Sequence, residues 1–337
     1  MTSNKTFIVA EMSANHNHKI ENAFAIIKAA KEAGANAIKF QTYTADTITL
    51  DCDNECFQIK QGTLWDGTTL YKLYQQAYTP WEWHKDLFDY ANSLDLTAFS
   101  TPFDKTAVDF LEKLNNPIYK IASFEITDIP LIEYAASTRK PMIISTGIAT
   151  ADEIGEAVEA CRKVGNEDIT LLKCTSEYPA KTEDANILTI PDMAKRWGVK
   201  VGLSDHTIGD ICPCAAVSLG ATIVEKHFTT DRRIGGPDAA FSMNKDEFST
   251  MVKRIRETET ALGFISYELT EKVKKDRHFA RSLFACADIK KGDVFTENNI
   301  RSARPGVGCS PKYLPKLLGK KSDRDYKFGD PIIFSEI

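Results

Sequence analysis

An α/β fold of the TIM type is what this sequence predicts: a (β/α)₈ barrel followed by a small β-rich module. Three observations lead there. Eight short runs rich in β-branched residues alternate with amphipathic stretches, the pattern of a parallel sheet with crossover helices. The eight units occupy roughly 260 residues, the length of one closed barrel. The turn after the first run, AEMSANHN, has no glycine, whereas an open dinucleotide-binding sheet normally carries a glycine-rich phosphate turn there.

The runs are FIVAE at 7–11, AIKFQT at 37–42, LTAFST at 96–101 and IYKIAS at 118–123. They continue with PMIIST at 141–146, ITLLKCT at 169–175, KVGLSD at 200–205 and TIVEKHF at 222–228. Between them, Ala23, Ile26, Ile27, Ala30 and Ala33 recur at helical spacing before a stop at Gly34. Ile154, Ala157, Val158 and Cys161 do the same before Gly165. In a barrel, catalytic groups sit at the C-terminal ends of the strands. Almost every run ends in them: Glu11, Lys39 and Gln41, Ser100 and Thr101, Lys120 and Ser123, Ser145 and Thr146, Lys173 and Ser176, Ser204 to His206, and Glu225 to His227. Together they predict a crowded polar mouth.

The barrel is expected to span 1–265, with a charged linker at 266–281 and a loop-rich module at 282–337. In that module, DIKKGDVFT, RPGVG and KFGDPI read as short strands with turn signals. It is too small to carry a large core comfortably alone, so it should lean on the barrel or on another subunit. The loop at 52–83 is long for a βα connection and holds Phe57, Trp65, Tyr71, Tyr74, Tyr78, Trp81 and Trp83. It is either an aromatic lid facing a sugar or a self-packed satellite cluster.

Net charge of −5 and 26% charged residues give no reason to expect nucleic acid or an anionic membrane as partner. The apolar run before Glu11 is too short for an export signal, and no roughly 20-residue apolar span appears. A cytoplasmic location follows as an expectation, with the 8 cysteines reduced. Cys161 and Cys174 read as small apolar core residues.

His206 and His227 follow adjacent strands, so their imidazoles can converge on a divalent ion with open positions for water or substrate. Asp205 and Glu225 stand alongside. Lys39 and Lys120 emerge among the hydroxyls of Thr101, Ser123, Ser145 and Ser204, chemistry suited to a phosphate with a carboxylate nearby. Lys120 or Lys173 is alternatively a Schiff-base lysine. Glu11 could orient a substrate hydroxyl or handle a proton. His16 and His18, in NHNHK, are expected at the solvent-exposed edge.

AEMSANHN, IKFQT, FSTPFD, YKIASFE, ISTGIA, LLKCTSEYP, VGLSDHT, EKHFT, GGPDAAFSM and RPGVG, in that order, resemble the sialic acid synthase (NeuB-like) family. Those enzymes condense phosphoenolpyruvate (PEP) with an amino sugar. The C-terminal module is similar to the antifreeze-like (SAF, β-clip) domain that ends them. The resemblance implies that His206 and His227 bind Mn²⁺, with Mg²⁺ or Co²⁺ as alternatives, to polarise the sugar aldehyde. It implies PEP contacts from Lys39, Thr101, Lys120, Ser123, Glu125, Ser145, Ser176 and Ser204. Glu11, Gln41, Tyr178 and Asp238 would meet the sugar. Ser176 departs from sialic acid synthases with Asn in the matching CTN segment, which bears on one such contact.

Arg304, in RPGVG, matches an arginine that reaches from one subunit into its partner's barrel, so a domain-swapped homodimer is implied. Within the family, GTLWDGTTLYKLYQQAYTPWEW and YKIASFEI look like the branch that makes pseudaminic acid, ahead of N-acetylneuraminate or legionaminate synthases. A metal aldolase acting on a phosphorylated sugar, and a non-enzymatic glycan-binding protein on a degenerate barrel, are the rival readings.

Overall fold

A computed structural model describes residues 5–333. The chain divides into two compact units, one ending at Gly263 and the other starting at Phe264.

In the first unit eight parallel strands close into a barrel, each hydrogen-bonded to its neighbours in chain order. They are β1 (Phe7–Glu11), β2 (Ala37–Thr42), β3 (Thr97–Pro102) and β4 (Tyr119–Ile121). The circle is completed by β5 (Met142–Ser145), β6 (Ile169–Cys174), β7 (Lys200–Asp205) and β8 (Ile223–His227). Pairing of Glu11 with Lys39 on one side and with His227 on the other closes the ring. The helices run where periodicity places them. Ile20–Glu32 ends before Gly34, whose φ of 91° suits a residue without a Cβ. Ala151–Lys163 opens on a capping box of Thr150 and Glu153 and stops before Gly165.

Strand alternation sorts the side chains into layers. Val9, Ala37, Phe99, Ile143 and Leu172, with Ile118 and Ile223, fill the lumen as an apolar floor. Gly202 belongs to the same level, because a Cβ there would collide with Leu172 and the Ile223 carbonyl. Two residues further along each strand stand Glu11, Lys39, Thr101, Lys120, Ser145, Cys174, Ser204 and Glu225. The polar mouth is thus one turn of the pleat above a dry floor.

The same alternation corrects the expectation that all strand-end polar residues share that mouth. Ser100 meets Thr42, and Thr42 meets His84 on helix His84–Ser93. Thr146 faces Met193, and Lys173 donates to the Cys174 carbonyl at 2.7 Å. Asp205 and Lys226 form a buried ion pair with each other, and Lys226 also donates to the carbonyls of Thr207 and Gly209. These groups belong to the strand–helix layer.

The second unit has its own core of Leu283, Ala285, Ile289, Phe295, Ile300, Leu317, Tyr326 and Ile332. Among the described residues its sheet is one antiparallel pair, β9 (Ser282–Ala285) with β10 (Ile300–Ala303). DIKKGDVFT and KFGDPI do not form the expected strands. Each has only isolated bridges, Ile289 with Tyr326 and Val294 with Lys321 for the first and Pro331 with Phe284 for the second, because each carries a turn that breaks the ladder. The segment expected as a linker contains a helix at Glu271–Asp276 and is grouped with this unit.

Candidate active site

The mouth is built around an ionic layer. Lys39 Nζ lies 2.5 Å from Glu11 Oε2 and 3.7 Å from Glu225 Oε1, and it donates to Thr101 Oγ1 at 3.3 Å. Lys120 Nζ lies 3.8 Å from Glu225 Oε1 and donates to Ser145 Oγ at 2.7 Å. Ser204 Oγ donates to the same Glu225 oxygen at 3.1 Å. Burial alone would lower the Lys39 ammonium, but Glu11 and then Glu225 outweigh it and hold it above the ordinary lysine range. Burial wins at Lys120, which sits below that range because Glu225 only partly offsets it. Glu225, flanked by both ammoniums, is held below the usual carboxylate range despite its burial.

Beside this layer, Ser123 Oγ and Ser176 Oγ are 2.5 Å apart. Gly147, just past β5, makes their approach possible, since a Cβ there would run into both hydroxyls and Cys174 Sγ. Glu125 ends the short 3₁₀ turn Ser123–Glu125; burial pushes its carboxyl up to about 7, and Oε2 has no hydrogen-bond partner among the described residues. The hydroxyls of Thr101, Ser145 and Ser204 therefore join the two lysines in this layer, with those of Ser123 and Ser176 beside it.

Above that level, the ring centroids of His206 and His227 are 5.3 Å apart. His206 Nδ1 lies 2.8 Å from the Thr175 carbonyl, which fixes the proton on that nitrogen and leaves Nε2 with a free lone pair. His227 Nδ1 is buried without a partner among the described residues. Burial, with His206 and Lys39 beside it, keeps His227 well below the ordinary histidine range and hence neutral, as a ligand must be. An orphaned imidazole nitrogen next to a correctly oriented second imidazole fits a divalent ion. Among the described residues no set of three or more His, Cys, Asp or Glu converges. An ion on this pair would keep most positions open for water or substrate.

Tyr178 and Phe241 wall the pair: the Tyr178 ring is 4.4 Å from His206, and Phe241 is 4.9 Å from His227. On the β1 side, Gln41 Nε2 donates to Glu11 Oε1 and to Ser13 Oγ, each at 3.2 Å. Ser13 Oγ donates in turn to the buried Asp238 carboxylate, which Ala14 N also approaches at 3.3 Å.

The barrel unit thus gathers Glu11, Lys39, Gln41, Thr101, Lys120, Ser123, Glu125, Ser145, Ser176, Tyr178, Ser204, His206, His227 and Asp238 around one mouth. Arg304 lies in the other unit, exposed and without an ion pair among the described residues. Lys173 faces away from the lumen, which removes it as a Schiff-base candidate. His16 departs from its expected exposure. It is fully buried, hydrogen-bonded through Nε2 to Thr79 Oγ1 at 3.2 Å and packed on Trp83. His18 is exposed. Cys174 is more than core filler: its thiol is 3.8 Å from His206 Nδ1. Glu225 turned out to be the anion shared by both lysines, and Ser13, Gly147 and Phe241 were missed as site residues. The first follows from strand parity, since Glu225 lies two residues past Ile223 of the floor.

The aromatic loop resolves mainly as a satellite cluster. Trp81 stacks on Phe110 and donates to the Tyr43 carbonyl, while Tyr74 packs on Tyr43. Trp65 alone of its aromatics reaches the rings of the mouth among the described residues.

Comparison with known proteins agrees with the fold, a closed barrel followed by a small β-containing domain. The NeuB family profile matches residues 26–267 and the SAF domain profile residues 280–337. The pseudaminic acid synthase of Helicobacter pylori is 50% identical, covering 98% of this chain and 97% of that protein. The pseudaminic acid synthase of Campylobacter jejuni subsp. jejuni serotype O:2 is 49% identical over 98% of this chain and 96% of its own. The crystal structure of the spore coat polysaccharide biosynthesis protein SpsE of Bacillus subtilis superposes with a TM-score of 0.67. It is 35% identical and covers 98% of this chain and 94% of that one.

Proposed function

Since the chain belongs to the NeuB family, we propose that it is a pseudaminic acid synthase. It would condense PEP with 2,4-diacetamido-2,4,6-trideoxy-L-altrose to give pseudaminic acid and phosphate. The observation that carries this reading is the vertical order of the lumen. A two-lysine, multi-hydroxyl level suited to phosphate and carboxylate lies directly under an imidazole pair suited to an aldehyde-activating ion.

Lys39, Lys120 and the hydroxyls of Thr101, Ser123, Ser145, Ser176 and Ser204 bind and orient PEP, so that its C3 faces the aldehyde carbon above. His206 and His227 would hold a divalent ion, Mn²⁺ in this reading, and the chemistry it would supply is Lewis-acid polarisation of the aldehyde oxygen. Attack by C3 forms the new C–C bond, and water adds at C2. Collapse breaks the C2–O bond, and the bridging oxygen leaves with phosphate. Glu11, bonded to Gln41 and Lys39, is placed to move the proton of that water. Gln41, Tyr178 and Asp238 position the sugar.

The exposed Arg304 supports a domain-swapped homodimer in which the arginine of a second copy completes the site. Exposed Phe124, Ile148, Leu188 and Ile208, in the connections after β4 to β7, and Ile211 at the start of the helix after β7 give such a dimer apolar surface to cover. No described helix is long and apolar enough to cross a membrane, and we place the reaction in the cytoplasm.

The test is product mass spectrometry with PEP, Mn²⁺ and either the diacetamido sugar or N-acetylmannosamine, using PEP labelled with ¹⁸O at the bridging position. The expected outcome is faster consumption of the diacetamido sugar with label in phosphate. Faster consumption of N-acetylmannosamine would overturn the substrate, and label retained in the sugar acid would overturn the bond broken. For the dimer, mixing inactive Arg304→Ala and His227→Ala chains should restore activity through one intact shared site.

A further inference from the structure

We propose that Trp65 is a specificity-determining residue. Its indole is the wall against which the end of the sugar remote from the aldehyde packs, and it favours methyl and acetamido groups there over hydroxyls. This deepens the function proposed above and rests on it.

Position is the first argument. The Trp65 ring centroid is 5.7 Å from that of Tyr178, and Tyr178 is 4.4 Å from His206. Trp65 is thus one ring removed from the proposed aldehyde site. The carbon chain of an open hexose spans roughly 6 Å between its ends, scaling from 3.8 Å across three backbone bonds. A sugar with its aldehyde at the histidines and its chain along Tyr178 therefore ends at Trp65.

Chemistry is the second. The indole N–H donates to the Pro237 carbonyl at 3.1 Å, so its one polar atom is already satisfied and the ring offers an apolar surface. Hydroxyls facing it would lose water without a partner, whereas a methyl loses nothing. The same hydrogen bond ties the long loop to the turn that carries Asp238, 172 residues away along the chain. A wall held at both ends costs little ordering when substrate arrives.

The third argument is the space beside it. A cavity of about 650 Å³ lies against Trp65 and Pro237, with Gln75 and Gln76 and the apolar Leu64 and Leu73 among its lining residues. Amide donors and acceptors next to aliphatic carbon are what an acetamido group pairs with, through its N–H, its carbonyl and its methyl.

The experiment measures kcat/KM for the diacetamido sugar and for N-acetylmannosamine in the full-length holoenzyme, with wild type, Trp65→Ala and Trp65→Phe. Trp65→Ala should lower the ratio of the two values by about tenfold or more, the range that one or two apolar groups in a pocket supply. KM for PEP should stay unchanged. Trp65→Phe keeps the apolar face without the N–H and should retain most of the ratio. An unchanged ratio in Trp65→Ala overturns the proposal, as does a parallel loss for both sugars with a raised KM for PEP. Wild type preferring N-acetylmannosamine overturns the functional reading itself, and that result is separable because it needs no variant.

Discussion

Lys39 Nζ lies 2.5 Å from Glu11 Oε2 across the seam between β1 and β2, and both side chains are buried. A pair this enclosed resists removal of either half, because the survivor is left buried without its partner. Lys39→Met should cost about 3–5 kcal/mol in urea unfolding and abolish turnover. Lys39→Met with Glu11→Gln should recover much of the stability and none of the activity. Recovery of neither would mean that Glu225 is the partner that matters.

Loss of the imidazole pair should separate chemistry from folding. His227→Ala is expected to lower kcat by at least about 10³-fold with an unchanged circular dichroism spectrum. Chelation should silence wild type, with Mn²⁺ restoring it. Substantial turnover in metal-free enzyme would remove the Lewis-acid role.

Glu125 provides a pH test. Burial, opposed by Lys120, pushes its carboxyl from 4.5 up to about 7. Its folded value lies above its unfolded one, so the stability linked to it is intact below 4.5 and is lost as pH rises through 7. In the unliganded protein, Glu125→Gln should match wild type at about pH 4 and exceed it by ~1–3 kcal/mol at pH 8.5. Thermal unfolding at the two pH values measures this.

Two buried histidines make the opposite prediction on the acid side. Burial lowers His16 to about 3 and His84 to about 4. Both fold as neutral rings, so their contribution is present above 6.5 and declines as pH falls toward those values. The unfolding midpoint should drop steadily from pH 6.5 to pH 4, and His84→Gln should flatten the slope.

The barrel was legible because each strand repeats one demand, apolar at floor level and chemical two residues later. Phe7–Glu11, Ala37–Thr42 and Lys200–Asp205 match their predicted spans to the residue. Lys39, Lys120, His206 and His227 were legible for the same reason. Depth was not. Nothing local to NHNHK says that Thr79 and Trp83 will cover His16, since those contacts come from the long loop. Nor does a strand-end list separate Lys120 from Lys173, for the strands' registers decide which one enters the lumen. Gly147 escaped because the reason for it, two hydroxyls from different strands, exists only in three dimensions.

The apolar floor has a kinetic consequence. Phe99, Leu172 and Ile143 pack together in the floor, so the chamber opens at the C-terminal ends of the strands. Whatever occupies the Lys39–Lys120 level must enter before anything settles at the histidines, and its remnant must wait beneath until the upper occupant departs. The architecture enforces a queue, first in and last out, so product inhibition by phosphate should compete with PEP alone.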